Sequence, residues 1–190
     1  MPRRDASLAG VVEVVAAPRA PVPMDATDLG LLRLLAKDAR MSQRQLAANL
    51  GVSGPTVGER MARLERSGVI HGYSVQVNWE ALGFGVPVYL SVTAAAGYDV
   101  AEIMRSLWEI TEVDDVTLVT GSLDLLVRLR VRDDTHLRTI LLSQVWQIPG
   151  MQGTETMIGM AEMPPKDTLT NLLTQLQSEL PNASGHGTDT

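Results

Sequence analysis

The segment MSQRQLAANLGVSGPTVGERMARLERSG, residues 41–68, carries the start and stop signals of two short consecutive helices. Ser42, with a glutamine three residues later, forms a capping box that satisfies free N–H groups at a helix start. Gly51 ends this helix, and Ser53 can cap a second helix with Pro55 in its first turn, where the missing N–H costs nothing. Two short helices joined at a glycine predict a helix-turn-helix, whose second helix enters the major groove of DNA.

The second predicted helix, residues 53–67, has two different faces. Val57, Met61 and Leu64 recur at i, i+4 and i+7, which predicts that they face inward. The opposite face carries three arginines, whose guanidinium groups suit phosphate or the O6/N7 edge of guanine. We expect DNA contacts from Ser42, Gln43, Ser53, Pro55, Thr56, Glu59, Arg60, Arg63 and Arg66. The alternative is a three-helix core whose charged face is merely solvated.

The arginines of this helix give a direct expectation. If Arg60 and Arg63 point outward, replacing either with alanine weakens DNA binding and leaves the fold intact.

A further helix, beginning at Asp25 and closing at Asp38, completes a predicted DNA-binding domain of residues 24–68. Its leucines follow one stripe. Beyond Gly68 the apolar period becomes two, which predicts a linking strand and hinge over residues 69–84. The alternating residues of this segment are Val69, His71, Tyr73, Val75 and Val77.

The next part of the chain, residues 85–163, reads as strand, helix, strand, strand, helix, strand. This order predicts a ferredoxin-like βαββαβ domain, and therefore an α+β protein. We expect strands over residues 86–94, 116–120, 123–131 and 153–163, with a tight hairpin between the middle two. Both helices would cover one sheet face. The apolar content of the strands then suggests that a second subunit's sheet covers the other face, as in a homodimer.

Both ends of the chain fall outside these domains. Residues 1–23 are expected to be a disordered leader; the alternative, a signal peptide, is weakened because Glu13 interrupts the apolar stretch. Residues 164–180 predict an amphipathic helix that packs on its own subunit or on a dimer mate. A disordered polar tail, residues 181–190, follows it.

Composition and charge narrow the function. The chain has 190 residues and a net charge of −6, with no cysteine and three histidines. These numbers give no basis for disulfides, thiolate sites or a zinc hydrolase. No apolar run has the ~18 residues of a membrane span. Residues 24–75 carry seven basic and five acidic groups, whereas residues 76–163 carry five and twelve. We therefore expect two parts with different partners. The absence of cysteine fits a reducing compartment, and we expect a cytoplasmic location. We also expect no catalytic or metal-binding residues, no cofactor and no enzymatic activity.

Three stretches carry a family resemblance. Residues 53–73 match the pattern S-x-P-T-V-x-x-R-x-x-x-L-E-x-x-G-x-I-x-G-Y, residues 118–131 read LVTGSLDLLVRLRV, and residues 148–160 read IPGMQGTETMIGM. Together they resemble the Lrp/AsnC (leucine-responsive, feast/famine) transcriptional regulators. The resemblance covers about residues 25–163. It implies the fold described above, binding to double-stranded DNA, and homodimers that assemble into octamers.

The resemblance also implies a site for an amino acid or a similar small molecule. In the family the ligand lies near a Gly-x-x-Asp hairpin, at the contact between dimers. Here the implied lining is Thr120, Gly121, Ser122, Asp124, Thr154, Thr156 and Met157. The Asp124 carboxylate could accept from an α-ammonium, while N–H groups of the hairpin face a carboxylate. The alternative is that Gly121 only forms a turn and Asp124 only caps a strand end.

Two other functions are alternatives to a ligand-sensing regulator. A siroheme decarboxylase-like enzyme resembles the same two-domain architecture, but it needs basic and histidine side chains around a polyanionic substrate. The second domain here is acidic, and His136 is its only histidine. An architectural DNA-wrapping protein without an effector remains the other alternative.

Overall fold

The computed structural model describes residue 10, residues 20–163 and residues 166–180. The expected leader lies mostly outside these residues, and the expected tail lies entirely outside them. The chain divides into two compact units. Among the described residues, we call 20–75 with 166–180 the helical unit, and residue 10 with 76–163 the sheet unit. None of the described helices is long and apolar enough to cross a membrane.

The described part of the helical unit contains four helices. They are α1 (Ala26–Lys37), α2 (Gln43–Leu50), α3 (Gly54–Arg66) and, from the far end of the chain, α6 (Thr168–Glu179). The capping box at the start of α2 is confirmed, since Gln45 N–H donates to Ser42 Oγ at 3.3 Å and Ser42 N–H donates to Gln45 Oε1 at 2.8 Å. Gly51 ends α2 with a φ of 66°, in the left-handed region that glycine adopts without strain. The core of this unit includes leucines and a valine from α1, α2 and α3, namely Leu29, Leu31, Leu46, Val57 and Leu64.

Helix α6 packs against α1, as expected for a helix held by its own subunit. Leu173 is only 3% exposed and belongs to the core of the helical unit. Arg33 Nη1 donates to Gln177 Oε1 at 2.5 Å, which adds a polar contact beside this leucine. Leu169, Leu172 and Leu176 stay about half exposed. The fourth helix of this unit is therefore supplied by chain that follows the sheet unit.

The expected linking strand is wrong for a single chain. Residues 70–78 form no strand, and residues 71–78 are all exposed. An extended segment needs a neighbour to accept its N–H groups and donate to its carbonyls. The alternating apolar pattern marks one side of the segment, but the described part of this chain offers it no partner.

The sheet unit has the predicted ferredoxin-like order. Its elements are β1 (Val86–Ala94), α4 (Val100–Trp108), β2 (Val113–Leu118), β3 (Leu125–Val131), α5 (Asp134–Ser143), a 3-10 turn (Val145–Gln147) and β4 (Met151–Ile158). The strand order is β2-β3-β1-β4, and every neighbouring pair is antiparallel. The middle hairpin is wider than expected, because β2 begins and ends earlier and β3 begins later.

The two faces of the sheet differ. One face supplies Val88, Leu90 and Val92 of β1 to an apolar core with both helices. The other face is mixed rather than apolar. It carries Tyr89, Ser91, Thr93, Leu126, Arg128, Arg130, Glu155 and Met157. Apolar burial is therefore a weaker reason for a partner sheet than the sequence pattern suggested.

Candidate nucleic-acid interface and ligand site

The outer stripe of α3 follows from helix geometry. At 3.6 residues per turn, the side opposite the buried Val57 and Leu64 is occupied by Pro55, Glu59 and Arg66, with Ala62 between the last two. Pro55, Glu59 and Arg66 are exposed. This stripe is the surface of α3 that is free to meet a DNA groove.

Arg60 and Arg63 are placed differently from the prediction. Arg60 Nη1 lies 3.0 Å from Asp28 Oδ1, and it also pairs with Asp25. Arg63 Nη2 lies 2.5 Å from Asp28 Oδ2, and Arg63 Nη1 donates to the Pro23 carbonyl at 3.3 Å. The side chains are 29% and 38% exposed, so the expected outward placement is wrong for both. The reason is that Arg60 lies on the flank of the buried stripe, where the N-terminus of α1 packs.

Asp28 is the carboxylate at the centre of this cluster, with 2% of its side chain exposed. Asp28 N–H donates to Asp25 Oδ1 at 2.9 Å, and Asp25 N–H donates to Asp28 Oδ2 at 3.0 Å, which forms a capping box at the start of α1. We call Asp25, Asp28, Arg60 and Arg63 the aspartate clamp. It joins the first turn of α1 to the middle of α3.

The contacts of the clamp shift the pKa values of Asp25, Asp28 and Arg60. Burial acts to raise the pKa of Asp28, but hydrogen bonds from the Asp25 N–H and from Arg63 and Arg60 outweigh it, so the pKa lies below its usual value. The hydrogen bond from Arg60 lowers the pKa of Asp25. The same contacts with Asp25 and Asp28 raise the pKa of Arg60. Asp25, Asp28 and Arg60 are therefore charged at neutral pH.

Other cations of the helical unit lie free of the clamp. Arg44 of α2 and Arg66 of α3 are exposed, and neither makes a side-chain hydrogen bond or ion pair within the described part of the chain. An unpaired guanidinium keeps its donors available for phosphate or guanine. Sequence reasoning named Arg66 but missed Arg44, although its charge and its place in the first turn of α2 were visible.

The remaining residues expected to touch DNA lie at the starts of α2 and α3. Ser42 caps α2, Gln43 follows it, and both are exposed. Ser53 caps α3 by accepting from Thr56 N–H at 3.3 Å, and the hydroxyls of Ser53 and Thr56 lie 2.7 Å apart. The capping hydroxyls are therefore partly engaged within the fold.

The Gly-x-x-Asp hairpin has a clear internal role. Asp124 Oδ2 accepts from Ala94 N–H at 2.8 Å, and Asp124 N–H donates to the Val92 carbonyl at 2.9 Å. Gly121 has a φ of 141°, and no atom lies within 4 Å of where a Cβ would stand. Asp124 therefore extends the pairing of β3 with β1, which is the capping role of a strand-end aspartate. Its second oxygen, Oδ1, makes no hydrogen bond among the described residues.

The other residues expected to line the ligand site are not beside the hairpin. Thr154 pairs with Val92, and Thr156 with Leu90, so β1 separates them from β3. Two strand spacings place β4 about 10 Å from β3. Met157 faces the opposite side of the sheet from both threonines. Thr154 Oγ1 also accepts from Trp146 Nε1 at 3.3 Å.

The expected ligand set is therefore divided within one chain. Thr120, Gly121 and Ser122 lie at the exposed hairpin, while the threonines of β4 lie across the central strand. A shared lining requires the last strand to neighbour the hairpin, but the strand order within one chain places β4 beside β1 instead. The described residues also hold no cluster of three or more His, Asp or Glu side chains that could bind a metal ion.

Known sequence families match both units. The family described as winged helix-turn-helix DNA-binding matches residues 24–71, and the Lrp/AsnC ligand binding domain matches residues 87–169. These ranges contain the aspartate clamp and the outer stripe of α3 in one case, and the sheet with its hairpin in the other.

Similar proteins include regulators from distant organisms. The HTH-type transcriptional regulator FL11 of Pyrococcus abyssi is 32% identical over 137 residues, covering 72% of this chain and 89% of the relative. The leucine-responsive regulatory protein of Klebsiella pneumoniae is 33% identical over 142 residues, covering 74% and 87%. The structure of AsnC from E. coli superposes with a TM-score of 0.71 at 25% identity, covering 77% of this chain and 99% of that one.

These similarities agree with the geometry of both units. The helix-turn-helix leaves an exposed stripe on its second helix, and the ferredoxin-like sheet ends in the Gly-x-x-Asp hairpin. The chain belongs to the Lrp/AsnC family of transcriptional regulators, and it joins a helix-turn-helix DNA-binding domain to a ligand-binding domain.

Proposed function

We propose that this regulator binds operator DNA in the cytoplasm in response to an amino acid, and that it has no enzymatic activity. The supporting observations are that Asp124 Oδ1 makes no hydrogen bond among the described residues, and that the N–H groups of residues 120–123 in the same hairpin donate no backbone hydrogen bond there. An α-amino acid offers an ammonium and a carboxylate one carbon apart. An acceptor and N–H donors within one small loop complement both groups.

The proposed effector site is completed by a second subunit. Within one chain, Thr154 and Thr156 lie across β1 from the hairpin, so they do not close a pocket with Asp124. A neighbouring copy can supply the missing wall. We propose homodimers that assemble further into octamers. Within the described chain, the backbone of residues 71–77 makes no hydrogen bond. This segment and the mixed face of the sheet are the surfaces that we propose for contact with another copy.

On the DNA side, we propose that α3 reads the major groove with Pro55, Glu59 and Arg66. Ser42, Gln43 and Arg44 at the start of α2, with Ser53 and Thr56 at the start of α3, contact the adjacent backbone. Glu59 can accept from the N4 amino group of cytosine, and Arg66 can bind phosphate or guanine. Arg60 and Arg63 hold the clamp instead.

A ligand screen with a matched pair of variants tests effector binding. Each of the twenty amino acids is added to the wild-type chain, and thermal unfolding is followed. Ligand at a hundredfold excess over its Kd should stabilise the protein by about 2.7 kcal/mol. The Asp124→Ala variant should lose this shift and its response on operator DNA, while keeping its ligand-free DNA affinity.

The control for this experiment is Asp115→Ala. Asp115 is an exposed carboxylate on β2 whose side chain accepts only from Thr117 at 2.9 Å within the described chain, so its removal should preserve the response. An intact response in Asp124→Ala would mean that Asp124 only braces β1. A blank screen at millimolar amino acid would favour an architectural DNA-wrapping protein, a function with which the separation of the hairpin from the threonines is also consistent.

A further inference from the structure

Between residues 20 and 180, two covalent connections join the units. The first, residues 69–85, leads from the helix-turn-helix into β1. The second, residues 159–167, leads from β4 to α6, which packs on α1 through Leu173. Because α6 belongs to the helical unit, the chain crosses between the units twice between residues 20 and 180.

Both connections are held to the sheet by one residue, Arg130 of β3. Its Nη1 and Nη2 donate to Glu162 of the second connection, at 3.1 Å from Oε2 and 3.4 Å from Oε1. Its guanidinium carbon lies over the ring of Trp79 in the first connection, 5.4 Å from the centroid. A guanidinium can make both contacts because its edge donates in a fork while its face stacks on an aromatic ring.

The surroundings fix this guanidinium in place. The Arg130 side chain is only 14% exposed, and its Nε lies 3.5 Å from Asp114 Oδ2. Arg128 lies two residues earlier on the same face and shares this carboxylate, with Nε donating to Asp114 Oδ1 at 2.6 Å. Within the described chain, Arg128 makes no hydrogen bond or ring contact with either connection. It is therefore a matched control for Arg130.

The contact with Glu162 limits how far the second connection can reach. Five peptide links join Glu162 to Asp167, the cap of α6, and they span at most about 19 Å at 3.8 Å each. Without this contact, the nearest preceding residue held by a hydrogen bond is Gly159, whose N–H donates to the Pro87 carbonyl at 2.8 Å. Eight links then span up to about 30 Å.

We propose that Arg130 is a positioning residue that holds both connections. It thereby restricts the placement of the helical unit, which is the DNA-binding unit, relative to the sheet unit, which is the ligand-binding unit. Restricted reach limits which operator spacings two DNA-binding units of one assembly can contact together. The consequence for operators rests on the proposed function. The restriction itself requires neither DNA nor effector.

Spin-label distances within one chain test the restriction. The chain has no cysteine, so Ala48→Cys on α2 and Glu109→Cys after α4, both exposed, accept labels without a background. Labelled chain is refolded with an excess of unlabelled chain, so that distances between copies are rare. We expect a narrow distribution of distances between the two labels in the wild type and in Arg128→Ala. In Arg130→Ala the distribution should broaden by up to about 1.6-fold, the ratio of the two reach limits.

Two further variants separate this role from a loss of folding. Glu162→Gln and Trp79→Leu leave Arg130 in place and each release one connection, so each should broaden the distribution less than Arg130→Ala. Arg130→Lys keeps the charge but not the paired N–H donors of the guanidinium, so its distance distribution should lie between those of the wild type and Arg130→Ala. Equal widths in Arg130→Ala and Arg128→Ala, or a broad distribution in the wild type, would overturn the proposal. Because no DNA or amino acid is present, neither result depends on whether the proposed effector is correct.

Discussion

The DNA-binding and ligand-binding units are stabilised in different ways. The ligand-binding unit buries an all-apolar core of 17 residues drawn from one continuous stretch of chain. The DNA-binding unit buries nine, one of them borrowed from α6, and it also buries the charged Asp28. A small domain gains less from apolar burial, so its polar and borrowed contacts matter more. We therefore expect substitutions and acid to act on the DNA-binding unit first.

The tryptophans allow the two units to be followed separately. All three, Trp79, Trp108 and Trp146, belong to the ligand-binding unit. Tryptophan fluorescence thus reports on that unit, while circular dichroism also follows the four helices of the DNA-binding unit. A substitution that acts on one unit alone should separate the two unfolding transitions.

The largest expected effect comes from removing the cationic half of the aspartate clamp. Replacing Arg60 and Arg63 together with alanine leaves the buried Asp28 carboxylate without its ion pairs. Breaking a buried pair in this way typically costs 3–5 kcal/mol, that is, roughly 4 kcal/mol here. Urea unfolding followed by circular dichroism should show this destabilisation, with little change in the tryptophan transition.

Arg44→Ala with Arg66→Ala is the control for this comparison. Both arginines are exposed and unpaired within the described chain, so the free energy of unfolding should change by less than about 0.5 kcal/mol. Equal destabilisation of the two double variants would mean that the ion pairs of Arg60 and Arg63 with Asp28 do not stabilise the DNA-binding unit.

The second effect concerns the borrowed helix. Leu173→Ala removes a core side chain and should destabilise the DNA-binding unit by about 3 kcal/mol, within the range measured for buried leucines. Leu172→Ala, one residue earlier and 53% exposed, should cost less than about 0.5 kcal/mol. If the two variants unfold at the same urea concentration, α6 does not belong to this unit.

The smallest effect is the response to acid. The folded-state pKa values of Asp25 and Asp28 are lowered, so their contribution is complete above the unfolded pKa and is lost as pH falls through the folded values. The free energy of unfolding of the DNA-binding unit, followed by circular dichroism, should therefore fall as the pH is lowered below about 5. Asp28→Asn should be less stable at neutral pH and should show a shallower pH dependence. A dependence of stability on pH as steep as that of the wild type would mean that Asp28 does not contribute to the acid response.

Local signals made much of this fold predictable from the sequence. The capping box at Ser42, the glycine that ends α2, and the strand over residues 86–94 depend on neighbouring residues, and all three are confirmed. The capping box of Asp25 and Asp28 has the same kind of local signal, an acidic residue three positions after another, but it was not recognised.

Long-range packing between distant residues accounts for the errors. Helical period alone separates inward from outward positions, but it does not say that α1 packs on the flank of α3 that carries Arg60. Likewise, the alternation within β4 placed Thr154 and Thr156 on one face, whereas their distance from Asp124 depends on the strand order. The pattern of residues 70–78 indicated the period of the side chains and not a pairing partner.

We propose that Arg44 and Arg66 contact DNA, whereas Arg60 and Arg63 hold Asp28. The most direct test is the salt dependence of affinity for an operator selected by the wild-type protein from random DNA. Between about 50 and 200 mM salt, the log–log slope of Arg44→Ala with Arg66→Ala should fall by about one for each phosphate that a DNA-binding unit no longer neutralises. Arg60→Gln with Arg63→Gln should keep the wild-type slope after correction for the folded fraction. A slope that falls only in the Arg60 and Arg63 variant would mean that these two arginines, and not Arg44 and Arg66, neutralise phosphates of the DNA.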